Sequence, residues 1–116
     1  MHLHIVTETD IVDAQRAAEE AKRAASEAYA AERAAADAHP IVGPLLRAYE
    51  GSSLTSLMLR PLFEPYAAAA HVYLPDVAEA WRVAMAREAF AAKRLESLRA
   101  LRASQQAEST AAEVAS

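Results

Sequence analysis

Residues 10–38 read DIVDAQRAAEEAKRAASEAYAAERAAADA. Thirteen of these residues are alanine, and Glu, Arg and Lys supply much of the rest. All four are strong helix formers, so the segment predicts one long helix. Ala14, Ala17, Ala21, Ala24, Ala28, Ala31, Ala35 and Ala38 recur at alternating steps of three and four, the seam spacing of a coiled coil. Ile11, Ala18, Ala25 and Tyr29 lie along one edge of that seam, and Glu32 falls close to it. So rich a composition also produces alanine stripes without any packing role. If the seam is real, alanine lets helix axes approach near the lower end of the ~8–10 Å range. Each alanine buries little area, and at ~25 cal/mol per Å² the gain per residue is small. A long helix of this kind needs a partner to persist.

Outward from this helix, the signals stay helical. Thr9 or Asp10 can cap its start, and Glu8, Asp10 and Asp13 suit the positive end of its dipole. His39-Pro40 ends it, because the residue before proline is pushed out of the α region. Prolines then predict three short helices. Gly43-Pro44 opens the first and Gly51 stops it; Ser52 or Ser53 caps the second, which runs through Leu59; Glu64-Pro65 begins the third, Tyr66 to Tyr73. A last long helix starts at Pro75 or Asp76 and spans about residues 76–103. Asp76 and Glu79 have the spacing of a capping box. Val77, Ala80, Trp81, Ala84, Ala91, Leu95 and Leu98 share one broad face of it, widened by Val83, Phe90 and Leu101. An arc that wide implies contact on more than one side.

The termini differ from the middle. Residues 1–9 alternate in the manner of a short extended arm, which either packs on the helices or pairs with a strand of another molecule. Residues 104–116 are small and polar and read as a flexible tail. The expected plan is therefore all-α: two long helices, about 10–38 and 76–103, flanking three short proline-punctuated ones. A single helical domain covers 10–103, with large apolar residues concentrated between Ile41 and Leu101.

Composition narrows the function classes. The 116 residues include no cysteine, which excludes disulfides, thiolate metal sites and cysteine nucleophiles within this sequence and fits a reducing compartment. The N-terminus lacks a basic segment followed by an apolar run, so no secretory signal is expected, and no apolar stretch approaches the ~20 residues of a membrane span. Net charge is −4. Residues 8–38 hold eight acids against four bases, whereas 82–102 hold six bases against two acids. The two long helices thus carry opposite charge and can attract each other, within one chain or between two.

Candidate chemistry is sparse. His2-x-His4 has a metal-ligand spacing on a strand, and His39 and His71 could join it, but solvent-facing side chains account for them better. Neither a metal nor a cofactor is expected. Glu88 stands on the apolar side of the last helix near Trp81 and Met85, where a carboxylate either pairs with an arginine or is perturbed. A cavity holding Glu88 beside His71 would suggest an enzyme. Two glycines, Gly43 and Gly51, cannot build a phosphate loop, and Ser52-Ser53 read as caps. Arg87, Arg94, Arg99 and Arg102 are the bases that could contact phosphates, although the basic side chains of this helix do not form a single stripe.

These observations predict a non-enzymatic protein of the cytoplasm, or of a virion or other assembly. Its partners would be proteins, met by self-association or as an accessory subunit of a larger complex. Its contacts would be the alanine seam, Tyr29, Trp81, Glu88, Leu95 and Leu98. A small nucleic-acid-associated regulator is the alternative.

Overall fold

The computed structural model describes residues 4–51 and 60–115. These residues contain α1 (Glu8–Ala38), α2 (Val42–Glu50), α3 (Arg60–Tyr73) and α4 (Pro75–Ala115), with no strand among them. The all-α plan of two long helices with shorter ones between is the plan that the sequence predicts. The short helix expected to end at Leu59 lies outside the described residues. The chain gathers into two compact units, Met1–Arg23 with Met85–Ser116 and Ala24–Ala84.

In the first unit, α1 begins two residues earlier than expected because Thr7, and neither Thr9 nor Asp10, is its cap. Asp10 Oδ2 accepts from the Thr7 backbone N–H at 2.9 Å, and Thr7 Oγ1 accepts from the Asp10 N–H at 3.2 Å. This is a reciprocal capping box with Asp at its third position. His4 Nε2 meets the same Asp10 oxygen at 2.9 Å. The Thr7 amide first, and His4 after it, hold the Asp10 carboxyl below its ordinary value.

The arm packs on its own chain. Val6 is buried, its N–H donates to Gln105 Oε1 at 2.9 Å, and Gln105 Nε2 donates to the His4 carbonyl at 2.9 Å. One side-chain amide thereby gives the arm the donor and acceptor that a neighbouring strand would supply. Glu8 pairs with Arg102 beside this contact. Ile11 shares a cavity with Arg99, Arg102, Ala103 and Gln106, while Ala18 and Lys22 share another with Glu88 and Leu95. Rising numbers on α1 meet falling numbers on α4, so these two segments run antiparallel. Residues 104–115, expected as a flexible tail, continue α4 as helix. Alanine, Gln and Glu favour that conformation, and Gln105 ties its first turn to the arm.

In the second unit, Ala36, Val42, Leu46, Tyr66 and Ala70 form the core, with Leu45, Ala69 and Leu74 against it. α1 ends at Ala38, before His39-Pro40 as predicted. Ile41 has no side chain that can cap α2, so His39 does it: Nδ1 accepts from the Ile41 and Val42 N–H groups at 3.1 and 3.2 Å. That role fixes the tautomer, with any ring proton on Nε2. The His39 ring also lies 5.2 Å from Tyr73. Gly43 is buried where α2 meets the end of α1; a Cβ there would stand 2.9 Å from the Asp37 carbonyl oxygen and 3.1 Å from that of Ala36. Glycine is what permits this approach. Gly51 stops α2 as expected, its N–H donating to the Arg47 carbonyl at 2.8 Å.

α3 departs from expectation. It starts at Arg60 and runs through Pro65, where the sequence places a helix start. Pro65 forgoes one backbone bond, to the Pro61 carbonyl, and burial of Tyr66 and Ala70 on one face offsets that loss. Only Leu74 separates α3 from α4. Its N–H donates to Ala70 at 2.8 Å and its carbonyl accepts from Ala78 at 3.1 Å. Glu79 turns to Arg82 Nε, at 2.9 Å, in place of the expected box with Asp76.

Candidate functional site

The chain itself covers one side of the alanine track of α1 and leaves the other side exposed. In the first unit, Ile11 and Ala14 are buried and Ala18 and Ala21 partly so; in the second, Ala25, Glu32 and Ala36 are buried and Ala28 and Ala35 partly so. Ala14, Ala21, Ala28 and Ala35 therefore belong to the covered side. Ala17, Ala24, Ala31 and Ala38 face solvent. The steps of three and four are kept, with Ile11, Ala18, Ala25 and Glu32 as the alternate positions. Two side chains set the covered side: Ile11 is the large apolar group at one end, and Glu32 bonds to Tyr66 at the other.

α4 answers with the same spacing. Glu88, Ala91, Leu95, Leu98, Arg102 and Gln105 are its partly covered positions in the first unit. Glu88 and Leu95 line a groove with Ala18, Lys22 and Arg99. Arg102 is committed to Glu8, whereas Arg87, Arg94 and Arg99 are exposed. The four candidate phosphate contacts thus include one base already paired within the chain. Glu8 and Arg102 form an ion pair between the acidic and the basic long helix. Ala80, Met85, Phe90 and Leu101 are exposed, and Phe90 is 71% so.

The second unit holds a polar and aromatic centre. Glu32 is 4% exposed and Tyr66 7%. Tyr66 Oη donates to Glu32 Oε1 at 2.7 Å, and Glu32 Oε2 has no hydrogen-bond partner among the described residues. Burial, then the bond to Glu32, pushes the Tyr66 phenol well above its ordinary value. Tyr29, Tyr49, Phe63, Tyr66 and Trp81 surround a cavity of about 180 Å³ that Glu32 also lines. Tyr29 and Trp81, both expected at an interface, meet at 5.9 Å between ring centroids. Tyr49 stands 5.4 Å from Phe63 and 6.3 Å from Tyr66, to which it is parallel. Arg33 bonds to Glu50 at 2.7 Å at the same cavity.

Neither Glu32 nor Gln105 stood out as a site in the sequence. A signal existed for both: Glu32 continues the track of Ala25 and Ala28, and Gln105 continues that of Leu98 and Arg102. A polar residue at a covered position needs a partner. His71 lines a cavity of the second unit that contains Glu79 and Arg82, and Glu88 lines the groove of the first. Among the described residues, no three His, Asp or Glu side chains stand together to hold a metal ion, and no helix is long and apolar enough to cross a membrane. Comparison with known protein families, curated proteins and solved structures found no match.

Proposed function

We propose that the protein is a non-enzymatic helical assembly protein that associates through the exposed faces of α4 and α1, with a second copy of itself as the first partner. The observation that carries this reading is α4. The helix is 41 residues long, yet none of its residues is fully buried. Phe90 is 71% and Val114 83% exposed, and residues 106–115 are exposed throughout. Most helical stability in proteins comes from packing of one face rather than from propensity, and Phe90 and Leu101, eleven residues and so about three turns apart, share one exposed side of α4. Ala17, Ala24, Ala31 and Ala38 add a smooth exposed strip on α1. The chemistry fits a structural or accessory subunit, including one built into a larger particle.

Light scattering tests the reading. A single chain is 12.5 kDa. A mass at a multiple of that value, reduced by Phe90→Glu with Leu101→Glu while helical content is kept, supports it. A monomer at all concentrations, with rapid amide exchange over 106–115, overturns self-association. Retention of DNA or RNA at low salt, falling steeply as salt rises, would favour a nucleic-acid-associated role instead.

A further inference from the structure

Glu32 presents an unresolved charge. Transferring a carboxylate out of water is unfavourable unless a cation or several donors meet it. Tyr66 supplies one donor, to Oε1. Oε2 has none among the described residues. The two arginines that line cavities with Glu32 are engaged elsewhere, Arg33 with Glu50 at 2.7 Å and Arg82 with Glu79 at 2.9 Å, and His71, which lines a second cavity with Glu32, makes no hydrogen bond to it. The surroundings are aromatic. The chain has seven aromatic residues, and five of them line the cavity that Glu32 enters. Ring faces carry negative potential and attract cations, above all weakly hydrated ones. A volume of about 180 Å³ is far more than one water needs. Tyr29 and Phe63 are 44% and 36% exposed, which leaves the cavity a way in.

We propose that this cavity binds a small alkylammonium cation, with an N–H donated to Glu32 Oε2 and the alkyl groups laid against Tyr29, Tyr49 and Trp81. The donor set argues for this class over a metal ion. One free carboxylate oxygen within aromatic walls cannot replace the hydration shell of a divalent cation, which takes six or more oxygens. It can accept one hydrogen bond and balance one charge. The Arg33–Glu50 pair at the same cavity is neutral as a whole, so Glu32 supplies the net charge that the guest meets.

Trp81 is the chain's one tryptophan, and its emission reports directly on occupancy. The test titrates the full chain with trimethylammonium, tetramethylammonium and tert-butanol at constant ionic strength. Trimethylammonium has both the charge and the N–H, tetramethylammonium has the charge alone, and tert-butanol is a neutral isostere. Saturable change with trimethylammonium at millimolar concentration, at least tenfold weaker with tetramethylammonium and absent with tert-butanol, supports the site. Glu32→Gln keeps an acceptor for Tyr66 and should bind at least tenfold more weakly. The rise in melting temperature that a ligand of the native state produces checks the same order of affinities on the unaltered chain without relying on Trp81 as the reporter. Equal response to all three probes, no response at all, or unchanged affinity in Glu32→Gln overturns the proposal. Should Glu32→Gln fail to fold, the comparison of the three probes on the unaltered chain decides alone.

Discussion

Glu32 and Tyr66 share a hydrogen bond of 2.7 Å between two groups that are both hidden from water. Removing one partner leaves the other buried and unpaired, so Tyr66→Phe should cost about 1–3 kcal/mol. Replacing both, as Glu32→Leu with Tyr66→Phe, should recover much of that loss, because no stranded polar atom remains. Denaturant titration of the three variants checks this; an unchanged midpoint for Tyr66→Phe would mean that the bond is not made in solution. The same pair sets an alkaline limit. The phenol is raised by burial first and by Glu32 second, from an unfolded value of 10.0. Its contribution is fully present below pH 10.0 and is lost as pH rises toward the folded value. Tyr66→Phe should therefore flatten the decline of stability above about pH 10.

At the scale of the helix, the first turn of α1 has an acid limit of the opposite sign. Asp10 is held low by the Thr7 amide and then by His4, against an ordinary value of 3.8. Its contribution is present above pH 3.8 and is lost as pH falls through the lower folded value. Thr7→Ala should cost about 0.5–2 kcal/mol of stability at neutral pH, and Asp10→Asn should weaken the acid dependence of thermal melts. A melt of Asp10→Asn that loses stability with acid as steeply as the unaltered chain would count against the box. The elements themselves were largely legible in the sequence. His39-Pro40, Gly51 and Leu74-Pro75 mark boundaries because they alter the backbone directly. α1 starts earlier than Thr9 or Asp10 would give because Thr7, two residues upstream of Thr9, also has a capping side chain and is the one that bonds to the Asp10 amide. The entry to α3 was misread because Pro65 signals a boundary locally, whereas burial of Tyr66 and Ala70 is a tertiary effect. Spacing alone does not say which side of the alanine track the chain covers, since alanine on either side of Ala14, Ala21, Ala28 and Ala35 gives the same spacing. Only the long-range partners of Ile11 and Glu32 choose between the two.

Across the whole molecule, the contact between Val6 and Gln105 joins positions 99 residues apart. Gln105→Ala removes both bonds to the arm and should cost about 1 kcal/mol or slightly more. Amide exchange at Val6 should accelerate in that variant while core amides such as those of Leu46 and Tyr66 keep their protection. If Val6 exchange is unchanged, burial of its side chain rather than the glutamine holds the arm. The separation also has a consequence in time. A ribosome adds roughly 5–20 residues per second, so Val6 emerges roughly 5–20 s before the residue that fastens it. During that interval the arm has no fixed neighbour, and the turn capped by Thr7 can form without it. Closing the clasp is thus a late event in the life of each nascent chain, and a chain that stops before Gln105 would keep an open end that a protease can find.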